Sequence, residues 1–306
     1  MVPIRISNAH RKAGQHAGLI YKYLQGYKRG RPLAAINKWL VSVFGPKVDI
    51  RSVLTADPLK MDLLIRKYNS AGIALATELQ ELKSIYKRFR SPSSTPLLTA
   101  SGEKYDGFAF CAVLDVSVCP YCNRNYIISL EKSGIATCEL DHFFNKDDYP
   151  FLALSFYNLI PACKPCNHIK SNKTGSYHNP HSKKYSEADL LKFSVQVTGA
   201  SYLDRLEDLK LAYDVHPVFN DTFTDLKLQE VYEFHKIYVQ DLIKKKHLYS
   251  EEYLEQLIAE FGGKLFSSRE ELLGLLLPGY ISEDKLALRP FSKLSKDIWE
   301  QLAMIY

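Results

Sequence analysis

Four of the six cysteines in this 306-residue chain form two close pairs. Cys119 and Cys122 form one Cys-x-x-Cys pair, and Cys163 and Cys166 form the other. Each pair can aim two thiolates from one tight turn, and four thiolates are the usual ligand set of a closed structural zinc site. The spacing therefore predicts one bound Zn²⁺, and the alternatives are a redox dithiol or plain buried cysteines.

An acid and an imidazole stand side by side between these pairs, in the stretch ELDHFF at 139–144. The apolar neighbours of Asp141 and His142 predict a buried strand, where a carboxylate and an imidazole are costly unless they are paired. A neutral imidazole can take a proton from water, and a carboxylate can bind a hard divalent cation. Adjacent strand residues point to opposite faces, so both can serve one site only if the strand ends or bends there. The alternative is a buried, hydrogen-bonded pair without catalysis.

The segments CPYC, ELDH and NLIPACKPCNHIKSNK, within about residues 117–173, resemble the zinc-stabilised HNH endonucleases. This resemblance implies a ββα-metal core, in which two strands and a helix surround one divalent ion. It also implies hydrolysis of phosphodiester bonds, most simply in double-stranded DNA. An RNA-cleaving defence effector and a zinc-stabilised nucleic-acid-binding module without catalysis are the alternatives.

The same resemblance implies a role for each matching residue. Asp141 is expected to bind the catalytic Mg²⁺ or Mn²⁺, and His142 to act as the general base. Asn158 is expected to orient that base. Asn167, directly after the last cysteine, is expected to be the second metal ligand. Many members of the family carry histidine where this chain has Asn167, and His168 is the alternative ligand.

The polar run after the second pair contains two lysines expected to contact nucleic-acid phosphates, Lys170 and Lys173. The alternative is that they are solvated lysines on a helix. The two remaining cysteines, Cys111 and Cys138, are most simply small residues of the core.

Basic charge is concentrated in the first third of the chain. Residues 1–100 hold 17 lysines and arginines against 5 acidic residues, whereas residues 177–306 carry a net charge of −5. Such a bias is typical of a surface that binds nucleic acid, although a solvated basic face would give the same count.

Apolar periodicity and turn-forming residues predict three segments. Residues 1–100 form a basic helical region with a helix over 72–89 and a linker, SPSSTP, at 91–96. Residues 101–176 contain both cysteine pairs, and the resemblance implies that they form the HNH nuclease core with its zinc-binding turns. Residues 177–306 form a mainly helical accessory region with a β-hairpin from strands at 193–197 and 209–215. The expected fold class is α+β, mostly helical around a central zinc-bound ββα-metal core.

The biological setting follows from the overall layout, which resembles the nuclease subunits of Septu-like ATPase–nuclease pairs in bacterial antiphage defence. That resemblance implies an ATPase partner. The longest apolar stretch, LLGLLLPGY at 272–280, is too short to cross a bilayer, and the first residues lack the apolar centre of a signal peptide. We therefore expect a cytoplasmic protein without a membrane segment.

Overall fold

The computed structural model describes residues 2–90, 97–99, 101–130, 132–173, 175, 177–185 and 190–304. Over these residues the chain combines many helices with two-stranded antiparallel sheets, so the predicted mixture of helix and strand is confirmed. The linker predicted at 91–96 lies outside the described residues. Among the described helices, none is both long enough and apolar enough to cross a membrane.

Helices make up most of the first ninety residues. Asp57 begins one of them by accepting a hydrogen bond from the backbone N–H of Lys60 at 2.9 Å, as a helix N-cap does. Their apolar faces pack together and against the middle of the chain. The helices are α1 (Ala9–Gly26), α2 (Arg31–Phe44), α3 (Ile50–Leu54), α4 (Pro58–Ala71) and α5 (Leu79–Arg90).

The helix predicted over 72–89 is shorter than expected. Gly72 ends α4 in the left-handed conformation with φ of 63°, and α5 begins only at Leu79. Leu75 therefore lies in the connection rather than on the helix. The predicted apolar face is confirmed from Leu79 to Phe89, where its residues are buried.

The middle of the chain contains a hairpin followed directly by a short helix. Strands β5 and β6 are antiparallel, with His142 opposite Leu159, and the helix α7 packs against β5. The elements here are β1 (Leu97–Leu98), β2 (Lys104–Tyr105), α6 (Gly107–Leu114), β3 (Ser129–Leu130), β4 (Ile135–Ala136), β5 (Glu139–His142), β6 (Leu159–Ala162) and α7 (Lys164–Lys170).

The last third of the chain is a β-hairpin surrounded by helices. The two strands pair over their full length from Leu191 opposite Val215, which confirms the predicted hairpin. The elements are β7 (Leu191–Val197), β8 (Leu209–Val215), α8 (Asn220–Asp225), α9 (Leu228–Glu233), α10 (Lys236–Leu248), α11 (Glu251–Phe261), α12 (Arg269–Leu276) and α13 (Ser292–Ala303).

Asn123, next to Cys122, joins the middle of the chain to this last third. It is fully buried and has φ of 50°, and its carbonyl accepts a hydrogen bond from the N–H of Phe291 at 2.7 Å. Its side chain donates to the carbonyl of Leu286 and accepts from the N–H of Lys293, both at 2.9 Å. Buried apolar residues from the predicted segments 1–100, 101–176 and 177–306 accordingly belong to one continuous core.

His16 on α1 is a buried polar connection between the helices and the middle of the chain. Its Nε2 lies 2.7 Å from the carbonyl of Leu154, and its Nδ1 lies 2.9 Å from the hydroxyl of Tyr105. Because a carbonyl can only accept, Nε2 carries the proton and Nδ1 accepts from the tyrosine. Burial lowers the pKa of His16 to about 4, so the folded protein holds a neutral ring.

This depressed pKa predicts a loss of stability in acid. Below pH 6.5 the unfolded chain gains a proton at this histidine, whereas the folded chain does not until about pH 4. His16→Gln keeps one donor and one acceptor but cannot titrate. From about pH 7.5 to pH 5, the unfolding free energy of the wild type should fall by about 2 kcal/mol more than that of the variant. Urea unfolding curves measure this difference, and parallel pH profiles would contradict it.

Candidate functional site

The four paired cysteines meet in one buried cluster. Their sulfur atoms all lie within 4.8 Å of one another. Cys119 and Cys122 lie in a tight turn, closed by a hydrogen bond from the N–H of Asn123 to the carbonyl of Cys119 at 2.8 Å. Cys163 is the N-cap of α7, and Cys166 lies in its first turn. The two turns predicted from the spacing thus face one another.

The chemistry of this cluster fits a soft divalent ion. Burial raises the pKa of Cys119, while a hydrogen bond with Cys119 lowers the pKa values of Cys122 and Cys163. Four thiolates this close together would repel one another without a compensating positive charge. A cation removes this conflict by stabilising all four thiolates. The buried four-cysteine group could therefore bind a metal such as zinc.

Neighbouring polar groups hold the cluster in place. The Asn125 side-chain amide donates to the sulfur of Cys163 at 3.3 Å, and the Tyr232 hydroxyl donates to the carbonyl of Cys122 at 2.5 Å. Tyr232 lies on α9, so the last third of the chain contributes directly to the cluster.

Beside the cluster, a cavity of about 330 Å³ brings together three of the predicted catalytic residues, Asp141, His142 and Asn167. His142 is the last residue of β5. The strand therefore ends where the sequence argument required it to end, and both members of the Asp-His pair line the same cavity.

The Asp141 carboxylate is buried and already has two partners. Lys170 lies 3.1 Å from its Oδ1 and 3.0 Å from its Oδ2, and the Tyr121 hydroxyl donates to Oδ2 at 2.6 Å. Burial raises the pKa of Asp141, and the positive charge of Lys170 opposes that rise. Both oxygens are thus engaged within the protein.

The His142 ring has a defined tautomer. Its Nε2 lies 2.9 Å from the carbonyl of Ala153, which can only accept, so Nε2 carries the proton and Nδ1 keeps its lone pair. The ring of Tyr86 packs against it edge-on, with centroids 4.2 Å apart. Burial lowers the pKa of His142 to about 3, so the ring is a neutral proton acceptor around pH 7.

Asn158 is fully buried and holds the chain that follows His142. Its Oδ1 accepts from the N–H of Phe144 at 2.8 Å, and its Nδ2 donates to the carbonyls of Phe144 and Leu152 at 3.1 and 3.0 Å. None of these hydrogen bonds reaches the histidine ring. The orienting role predicted for Asn158 is therefore compatible only with an indirect effect, through the loop that carries Ala153.

Asn167 pairs with a residue that the sequence argument missed. Its Nδ2 donates to Oε2 of Glu139 at 2.6 Å, and Glu139 lines the same cavity. Glu139 and Asp141 lie two positions apart on β5 and share one face, which the alternation in ELDH could have revealed. Together the three residues offer carboxylate and amide oxygens, the donors that Mg²⁺ and Mn²⁺ prefer. A divalent ion at Asp141 would compete with the ammonium of Lys170.

Lys170 and Lys173, the two lysines predicted to bind phosphate, are not among the residues that line the cavity. Lys170 is 2% exposed, and its ammonium also donates to the carbonyl of His142 at 3.0 Å, so it is not a surface contact for a phosphate. Lys170 is buried because the buried Asp141 carboxylate opposite it needs a cation as a partner. Lys173 donates to the carbonyl of Asp225 at 2.9 Å and lies 3.7 Å from its carboxylate, which ties the end of α7 to α8.

Other cationic side chains line the Asp-His cavity instead. They are Arg90, Lys146 and Lys164. Arg90 comes from the end of α5, so the basic N-terminal segment reaches the cavity. The sequence alone assigned a role to none of these three residues, although Lys164 lies within the second cysteine pair, because only the folded chain brings them together.

Comparisons with known proteins add no relative: no family model, no curated protein and no solved structure matches this chain.

The cluster predicts one tightly bound zinc per chain. Cys163→Ser should remove a buried ligand, lower the zinc content and lower the melting temperature, because metal binding and folding are coupled. Cys111→Ser, also at a buried cysteine but outside the cluster, is the matched control and should change the zinc content little. Elemental analysis and thermal unfolding under reducing conditions measure both. Zinc-free, fully folded wild-type protein would contradict the prediction.

Proposed function

We propose that this protein is an HNH-type endonuclease that hydrolyses phosphodiester bonds in DNA with the help of a divalent ion. One observation carries the proposal: Asp141, His142 and Asn167 line a single cavity beside a four-cysteine cluster. This juxtaposition supports a ββα-metal core formed by β5, β6 and α7.

The tautomer of His142 supports its role as general base. With Nε2 bonded to Ala153, the Nδ1 lone pair is the atom that can take the proton of an attacking water. A pKa of about 3 makes a weak base in the free protein. A bound phosphate would raise this pKa, because a nearby negative charge stabilises the protonated ring.

The other polar groups of the cavity would bind the substrate and stabilise its negative charge. Arg90, Lys146 and Lys164 supply positive charge that suits a phosphate backbone. Asp141 and Asn167 would hold Mg²⁺ or Mn²⁺, which when bound neutralises charge on the phosphoryl group and the leaving oxygen. Because this chemistry needs no 2′-hydroxyl, DNA is a sufficient substrate.

One observation favours a second candidate, a zinc-stabilised nucleic-acid-binding module without catalysis. The ammonium of Lys170 sits against both oxygens of Asp141, where a catalytic ion would need to bind. In that case the cavity would hold a phosphate through its cations without hydrolysing it.

The proposal extends to antiphage defence together with an ATPase partner. It rests on the resemblance of the layout to Septu-like nucleases.

Removal of the proposed general base distinguishes the endonuclease from the non-catalytic binding module. His142→Ala should lower the single-turnover rate of plasmid cleavage by about 10²–10⁴ while zinc content and DNA affinity stay nearly unchanged. His10→Ala, an exposed histidine that does not line the Asp-His cavity, is the control and should cut at the wild-type rate. EDTA should stop cleavage, and total RNA serves as the competing substrate.

Two outcomes would count against the nuclease. Equal rates for wild type and His142→Ala would exclude the base mechanism. Tight DNA binding by wild-type protein with no cleavage in Mg²⁺ or Mn²⁺ would support the binding module.

Because Lys146 lines the Asp-His cavity and Lys173 does not, variants of the two lysines should differ in the salt dependence of DNA binding. Lys146→Gln should weaken DNA binding and reduce the slope of log affinity against log salt by about 1, because one phosphate contact is lost. Lys173→Gln removes the same charge from a lysine already bonded to Asp225 and should leave the slope nearly unchanged. Fluorescence anisotropy over a salt series measures both slopes. A larger change for Lys173→Gln would mean that DNA follows another path.

A further inference from the structure

Two cysteines outside the metal cluster lie in direct contact. The sulfur atoms of Cys111 and Cys138 are 2.7 Å apart, and both residues are free thiols. Neither sulfur belongs to the four-cysteine group. Two isolated core cysteines need not meet, so their contact is a feature that packing alone does not require.

The pair occupies a sensitive place in the fold. Cys111 lies in α6, and Cys138 immediately precedes β5, the strand that ends in Asp141 and His142. Gly107, the first residue of α6, packs closely against that strand. A Cβ placed on this glycine would lie 3.5 Å from the Leu140 side chain. A bond between the two sulfurs would therefore fasten α6 to the start of the strand that carries the Asp-His pair.

We infer that Cys111 and Cys138 form a reversible dithiol–disulfide redox pair that responds to peroxide. Their sulfurs lie 2.7 Å apart, so a bond of about 2.05 Å needs only a small approach of the two atoms. Both residues are largely buried, with 7% of Cys111 and 9% of Cys138 exposed, which restricts access to a small oxidant such as peroxide. The cluster cysteines would instead be engaged as metal ligands when zinc is bound.

The oxidation is balanced with hydrogen peroxide as the oxidant. One sulfur attacks a peroxide oxygen, the O–O bond breaks, and a sulfenic acid and one water are formed. The second sulfur then attacks the sulfenic sulfur, the S–S bond forms, and the second water leaves. Each thiol has lost one proton and one electron, and the peroxide has gained two of each. A dithiol reductant reverses the bond.

The disulfide should also stabilise the protein. It closes a loop between positions 27 residues apart, which restricts the unfolded chain. For a chain of this length the expected rise in melting temperature is roughly 5 °C.

The test uses the 306-residue, zinc-loaded protein with stoichiometric hydrogen peroxide. After oxidation, free thiols are alkylated under denaturing conditions with a chelator, and non-reducing peptide mapping identifies any linked cysteines. We expect a Cys111–Cys138 cross-link, a loss of two alkylatable thiols, unchanged zinc content and the higher melting temperature, all reversed by dithiothreitol. Cys111→Ser and Cys138→Ser should each abolish the cross-link and the temperature shift.

Three results would overturn the inference. The first is that both thiols remain fully alkylatable after peroxide treatment. The second is that the cluster cysteines oxidise and release zinc first. The third is that Cys111 or Cys138 is converted to a sulfinic acid without a cross-link. Because the wild-type protein alone gives these readouts, the test stands even if a serine variant fails to fold.

Discussion

Four buried thiols that share one small space are the constraint on which the rest of this protein depends. The cluster joins a turn to the start of a helix, and Cys122 and Cys163 are 41 positions apart in the chain. Sulfur atoms this close cannot all ionise unless a cation compensates them. The free energy of metal binding can therefore close the long loop between the pairs, and β5 and β6 fold inside that loop.

The Asp-His cavity takes its geometry from this closure. β6 leads directly into Cys163, and Asn167 follows Cys166, so the cluster places α7 against the end of β5. Asn158 then holds the loop whose Ala153 carbonyl fixes the His142 ring. The four clustered cysteines have no role in the proposed hydrolysis, yet they determine where Asp141, His142 and Asn167 lie.

A buried ion pair sets the electrostatics of the cavity. Desolvation of Asp141 and Lys170 costs several kcal/mol per ion unless the pair is well hydrogen-bonded. The Tyr121 hydroxyl and the carbonyl of His142 supply those bonds. The helix α7 thus carries both the neutral amide of Asn167 and a cation to the same strand. The ammonium of Lys170 therefore occupies the place beside Asp141 that a divalent ion would need.

The sequence by itself determined the features that depend on short spacing: the two zinc-type turns at Cys119 and Cys163, and the alternating hairpin strands over 193–197 and 209–215. Such features are readable because turn geometry and strand alternation are local properties. Only the tertiary structure decided that Lys170 is buried against Asp141, 29 positions away, and that Cys111 meets Cys138. A lysine has the same local preferences on a solvated helix face and opposite a buried carboxylate. Its environment is set by the strand that the folded chain places across from it, and no local pattern encodes that strand.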